Sequence, residues 1–174
     1  MTKEKTRAVK GHEHRADLAG EHPFGDTGQI ILLLLFLTVW IIDSFFLKYS
    51  TFISSYVSLY IRLPLSSMLL IIALYITKKS HDIVFGEVRE EARVIRKGVF
   101  GMLRHPLYCG ALLGYCGLFV MTLSLVTLPI LIIIIFFYNY IARYEEGILR
   151  EKLGKEYITY MREVPRWVPR LRRR

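Results

Sequence analysis

Cysteine is scarce in this chain, with only Cys109 and Cys116 among 174 residues. The two stand seven apart in a stretch that reads as helix, about 10 Å along its axis. That separation rules out a disulfide between them, and the pair says little about redox compartment. Apolar residues are also sparse at the start. Residues 1–27 are polar and charged, so no cleavable signal peptide is expected. No internal repeat is present. The most informative absence is that of charge from long segments: "IILLLLFLTVWII", residues 30–42, holds no ionisable side chain. Hydrophobic residues make up 53% of the chain and charged ones 22%. Because the two kinds occupy separate stretches, the pattern is that of an integral membrane protein and not of a soluble core.

Four apolar runs are legible, at 29–47, 56–76, 107–123 and 126–142, as needed to cross ~30 Å of hydrocarbon. The expected fold class is all-α: an integral membrane bundle of about four transmembrane helices plus cytoplasmic interfacial helices. Residues 1–27 read as a polar arm and 28–174 as one membrane domain. Within it, 78–106 form a loop and 143–174 an amphipathic basic tail. In the loop, Glu87, Glu90 and Glu91 precede Arg93, Arg96 and Lys97 at helical spacings, which predicts a short charged helix ended by Gly98. In the tail, Ile148, Leu149, Leu153, Tyr157, Tyr160, Met161 and Val164 make an apolar stripe expected to lie on lipid. Asp43 and Arg62 flank the short first turn and are expected to pair, since an intramembrane charge is expensive alone. Gly110, Gly114 and Gly117 fall near one face of the third run, where small residues let helices approach.

A net charge of +9 would suit nucleic acid, but its distribution does not. Of 24 Lys and Arg, five precede residue 28, seven lie from Lys78 to Arg104 and ten from Arg143 onward, leaving Lys48 and Arg62. Basic blocks beside apolar spans fit anionic lipid headgroups, and no nucleic-acid partner is expected. The positive-inside rule places the arm, the loop and the tail on the cytoplasmic face. The expectation is a multi-pass protein of a prokaryotic cell membrane with both termini cytoplasmic. His12, His14 and His22 lack a partner motif at ligand spacing, so no metal is predicted.

The stretch "RHPLYCG", residues 104–110, stands where the loop enters the third run. "RYEE", residues 143–146, stands where the fourth run leaves. A short outer turn makes these two runs antiparallel neighbours, so the two clusters should meet at one depth. The result would be a corner of imidazole, phenol, guanidinium and carboxylate groups bordered by lipid. Such a corner can hold a polar, soluble cofactor against a membrane-borne substrate.

The heptapeptide, followed by "EEGILREKLGKEYITYMREVPRWVP", resembles the isoprenylcysteine carboxyl methyltransferase and phospholipid methyltransferase family. The family pattern is Arg-His-Pro-x-Tyr-x-Gly, then Glu-Glu, then Gly-x-x-Tyr-x-x-Tyr. Here it is met by residues 104–110, by Glu145 and Glu146, and by Gly154, Tyr157 and Tyr160. The resemblance covers about residues 94–169 and implies S-adenosylmethionine as methyl donor, with a lipophilic acceptor. Carried over position by position, it implies cofactor contact by His105, Pro106, Leu107, Tyr108 and Glu145, with Glu146 beside them. The preceding loop adds Val94, Ile95, Gly98 and Phe100. Three positions depart from the pattern: Ala92 replaces a frequent histidine and Phe100 a frequent tyrosine. Ile141 stands where the prenylcysteine enzymes carry the arginine associated with the substrate carboxylate.

Residue chemistry runs in the same direction. Glu145 or Glu146 can accept charge-assisted hydrogen bonds from ribose hydroxyls. Tyr108 and Phe100 offer aromatic surface to a cation or to adenine. Methyl transfer gains most from positioning and desolvation. A carboxylate acceptor needs no base, whereas an amine must lose a proton, to His105 or Glu146. Arg143 is expected to hold an anionic acceptor head. The catalytic candidates are therefore Arg143, His105 and Glu146. Two alternatives stay open: an NADPH-dependent sterol-reductase-like membrane enzyme, because some of those carry a similar Arg-His-Pro-x-Tyr motif, and a non-catalytic lipid-binding membrane protein.

Overall fold

The computed structural model describes residues 24–86 and 93–169. The three N-terminal histidines, the acidic half of the expected loop helix and the terminal arginines lie outside them. Every regular element among the described residues is helical. α1, Gly25–Ile41, runs directly into a π-helical turn, Ile42–Leu47, which closes at Lys48 with a φ of 53°. α2, Leu59–Phe85, starts after Ser58, whose hydroxyl accepts the Tyr60 N–H as a helix cap should. α3 is Pro106–Thr122 and α4 is Thr127–Glu163. Short 3₁₀ turns at Phe52–Ser55 and Gly98–Gly101 complete the order.

Gly25–Leu47, Leu59–Val84 and Thr127–Glu163 are each long and apolar enough to cross a membrane. α3 is equally apolar but shorter, 17 residues, or about 25 Å at the helical rise. The molecule is thus a multi-pass membrane bundle. In α4 the apolar portion is residues 127–142, and the remainder is polar.

Several element ends differ from expectation. α2 begins three residues later than expected and continues nine residues past Ile76. The lysines at 78 and 79 mark where the helix leaves lipid, not where it stops. α4 likewise continues through the tail to Glu163, bent at Gly154 (φ 56°, ψ −129°), a conformation closed to residues with a Cβ. The bend changes the fate of the tail's apolar stripe. Tyr157, Tyr160 and Val164 are buried together against Val94, Leu149, Leu153 and Met161, so the stripe packs on the loop. Consistent with that, residues 93–96 carry no helix; Val94 is drawn into this cluster as irregular chain, and the expected charged helix does not reach it.

The expected pairing of Asp43 with Arg62 is also replaced. Asp43 accepts from the Ser50 N–H (3.0 Å), the Ser50 hydroxyl (2.6 Å) and the Ser124 hydroxyl (2.6 Å). Arg62 donates instead to the carbonyls of Val57 (2.9 Å) and Met121 (2.7 Å). Helix-end and turn carbonyls need donors as much as a carboxylate does, and the neighbouring serines reach Asp43 first.

Two packings position the site. α2 and α3 lie in close contact: a Cβ on Gly110 would sit 2.3 Å from the Thr77 hydroxyl, and one on Gly117 2.9 Å from Leu70. The Ser66 hydroxyl donates to the Gly117 carbonyl at 2.8 Å across the same seam. Gly114 faces open space. α1 and α4 meet through larger groups, with Phe36, Trp40, Leu131, Ile134, Tyr138 and Ile141 buried around Tyr115 of α3. The outward apolar side chains, such as Ile71, Leu74 and Phe136, are exposed, as a lipid-facing surface requires.

Candidate functional site

The site is built where α3 begins. His105 precedes a proline, so its backbone is kept out of the helical region (φ −122°, ψ 63°). Pro106 then opens α3 at a position where its missing N–H loses nothing. This corner holds His105, which is buried, against the polar continuation of α4. On α4, Tyr138, Ala142 and Glu146 recur every four residues along one buried stripe. That spacing delivers Glu146 to the imidazole one turn beyond the apolar span.

Glu146 is the hub. The His105 Nε2 lies 3.1 Å from its Oε1. The Arg166 Nε donates to Oε1 at 2.9 Å and the Arg166 Nη2 to Oε2. The Arg104 Nε sits 3.0 Å from Oε1 as an ion pair without hydrogen-bond alignment. Burial alone would raise the Glu146 carboxyl, but hydrogen bonds from His105 and Arg166, with the charge of Arg104, hold it at about 2. For His105 burial prevails over the pull of Glu146 and pushes the imidazole below its ordinary range. Of the two ring nitrogens, Nε2 lies within hydrogen-bond distance of a carboxylate, which assigns the proton of a neutral His105 to Nε2. Its Nδ1 then presents a lone pair, 3.6 Å from Glu145 Oε2.

Glu145 has a different setting. The Tyr108 hydroxyl donates to its Oε1, and Tyr108 stacks on His105 with parallel rings 5.5 Å apart. Its side chain is 14% exposed against 3% for Glu146, so of the two acids Glu145 is the more accessible. The structure thus brings His105, Tyr108, Glu145 and Glu146 into one contact cluster. Pro106 is buried and Leu107 half-buried beside it. Val94 and Phe100 are linked to the end of α4 instead, Val94 by packing and Phe100 through its carbonyl, which accepts the Tyr160 hydroxyl at 2.7 Å. Ile95 is half-buried, and Gly98 is exposed with a φ of 55°. Arg143 is exposed on α4; Arg104 and Arg166 are guanidiniums that reach Glu146 among the described residues.

Arg166 was given no role by the sequence reading, nor were Asn139, whose Oδ1 accepts the Arg166 Nη1 at 3.3 Å, and Trp167, 6.1 Å from the His105 ring. A signal was available: "VPRWVP" sets an arginine and a tryptophan between prolines, which stop a helix and stiffen the chain. Arg104 was quoted within its motif but not assigned. Its backbone N–H donates to the Pro165 carbonyl (3.0 Å) and its Nη1 to the Met161 carbonyl (2.8 Å), so it ties the start of α3 to the end of the tail.

The residues present suit a cationic nucleoside donor. A partly accessible carboxylate stands beside a stacked phenol and imidazole, at the polar end of an apolar bundle. Comparison with known proteins points the same way. The profile of the family described as phospholipid methyltransferase matches residues 57–156. A protein-S-isoprenylcysteine O-methyltransferase B of Arabidopsis thaliana is 30% identical over 81 residues, 46% of this chain and 41% of that protein. The chain therefore spans less than half the length of that relative. The family profile takes in α2, α3 and the apolar and acid-bearing parts of α4, the elements that build the corner just described, and the chain belongs to the phospholipid methyltransferase family.

Proposed function

We propose that this protein transfers a methyl group from S-adenosylmethionine to a lipophilic acceptor carrying a carboxylate or an amine. The reaction is placed at the membrane face where α3 begins, the cytoplasmic face by the distribution of Lys and Arg. The observation that carries the reading is the single cluster of His105, Tyr108, Glu145 and Glu146 at the polar mouth of a lipid-facing bundle.

The donor supplies an electrophilic methyl group on a sulfonium centre. Glu145, oriented by Tyr108, accepts hydrogen bonds from the donor's hydroxyls and offsets its positive charge. Pro106 and Leu107 at the start of α3, with Val94, Ile95, Gly98 and Phe100 of the preceding loop, complete the donor's walls. Glu146 serves as an anchor, because a carboxylate held at about 2 is a poor proton acceptor at neutral pH. His105, kept neutral, retains a lone pair on Nδ1 and is the group able to take a proton from an amine acceptor. A carboxylate acceptor asks for no base. Arg143, exposed one turn before the acid pair, meets an anionic acceptor head from the membrane side. Ile141 is fully buried, so the carboxylate-holding role linked to that position in the prenylcysteine enzymes must fall to another residue here.

The test is a thermal-stability titration of the detergent-purified chain with S-adenosylhomocysteine and, separately, with NADPH. Stabilisation by the first alone is expected, about 2.7 kcal/mol at a hundredfold excess over Kd. Stabilisation by NADPH alone would replace this reading with a reductase, and by neither with a lipid-binding protein. Lipid extraction after incubation with methyl-labelled donor then names the acceptor class: an alkali-labile label marks a methyl ester, a stable one an N-methyl group.

A further inference from the structure

The segment beyond α4 turns back toward the site. After Glu163 the backbone turns extended at Val164 (φ −112°, ψ 124°), as a residue before proline must. Residues 164–169 then pass back across the mouth of the site. The segment is fixed at several points: Pro165 accepts the Arg104 N–H, Val164 is buried in the tail cluster, and Trp167 packs against the buried residues of the helix core. Between these fixed points lies Arg166, whose fork spans both oxygens of Glu146 and whose third nitrogen reaches Asn139.

We propose that Arg166 is a positioning residue for the methyl donor. By gripping Glu146 from the tail, it fixes the carboxylate that orients His105, and so sets the ring whose other nitrogen faces Glu145. The inference rests on the reading that His105, Tyr108 and Glu145 line the donor site. Only a planar fork can hold two carboxylate oxygens and a side-chain amide at once; an ammonium is a single point of charge. The groups facing His105 are Glu145 and Glu146 from α4, Tyr108 from α3, Arg104 from its own corner and Arg166 from the tail. Taking away the Arg166 charge removes one of the two cations that disfavour imidazolium there, so the protonation of His105 should move to higher pH.

The experiment compares the full-length wild type, Arg166→Ala and Arg166→Lys in detergent. S-adenosylhomocysteine affinity is measured from neutral to mildly acidic pH, and melting without ligand reports folding. Arg166→Ala should bind about tenfold or more weaker, with the acid limb of its binding profile displaced upward in pH. Arg166→Lys should fold and recover part of the affinity. Equal affinity and an unmoved acid limb in Arg166→Ala, beside a wild type that binds, would overturn the role of Arg166 alone. So would Arg166→Lys binding as well as wild type, since a point charge would then suffice. A wild type that binds no S-adenosylhomocysteine would remove the donor site itself, and this inference with it.

Discussion

Two buried carboxylates stand at opposite ends of the bundle, and their surroundings differ. Asp43 accepts from neutral donors: two serine hydroxyls and a backbone N–H, all from turns at its own end. Ser50 also receives the Val126 N–H and so joins both turns at that end to one acid. Glu146 is held by two guanidiniums and an imidazole from two separate stretches of chain, residues 104–105 and Arg166. A second carboxylate, Glu145, immediately precedes it in sequence, and stacked aromatic rings lie beside the pair. Neutral donors satisfy a buried acid and close a turn. A buried acid gripped by two guanidiniums leaves a charged, oriented corner next to it, which suits the binding of a charged ligand. The Asp43 end is a clasp, and the Glu146 end is the candidate site.

The sharpest way to break this contrast is to neutralise each acid in turn. Glu146→Gln leaves Arg104 and Arg166 facing a neutral amide in a buried place. It should lower stability by about 3 kcal/mol or more and abolish S-adenosylhomocysteine binding. Melting and titration of the purified variant measure both, and retained affinity would remove the anchor role. Next in size is Gly110→Leu. A side chain there meets Thr77 and the Ala73 carbonyl, forcing α2 from α3 at about 1–3 kcal/mol; an unchanged melting temperature would show that the seam is looser than drawn. Asp43→Asn keeps the shape but weakens the hydroxyl bonds, for about 1–2 kcal/mol. Its donor affinity should equal wild type, and a large loss of affinity would deny that the two ends are independent.

The sequence revealed the bundle more readily than the ends of its helices. Charge-free runs mark where lipid is, because the cost of a charge there is large. They do not mark where a helix stops, since α2 and α4 carry on as polar helix into water. The close seam was visible in Gly110 and Gly117. The bend at Gly154 was not, because a glycine within a motif gives no φ. At the site, His105, Tyr108, Glu145 and Glu146 were legible as parts of a motif, and they meet because the start of α3 lies against α4. Arg166 was not, because its partner lies 20 residues away across a turn, and an arginine near a basic terminus reads as one more lipid-facing charge. Arg143 is exposed on α4, and the acceptor role proposed for it is carried by its sequence position alone.

The smallest effect is one of pH. His105 titrates below its ordinary value of 6.5 in the folded chain because it is buried. The unfolded chain therefore binds more protons below pH 6.5, and the stability due to His105 is complete above that value and lost as pH falls from it. Glu146 acts in the same sense lower down: its carboxyl moves from 4.5 to about 2 on folding. Its contribution is complete above pH 4.5 and lost between there and about 2. Acidification should thus lower the melting temperature in two stages, the first beginning near 6.5. His105→Gln should erase the first stage and leave the second. Asp43→Asn should leave the first stage in place, since neutral donors around Asp43 add nothing that titrates near 6.5. A wild type whose melting temperature holds or rises as pH drops from 6.5 to 5 would mean that His105 takes its proton inside the fold. The site would then carry an imidazolium between its two carboxylates, and the proton acceptor proposed for an amine substrate would already be filled.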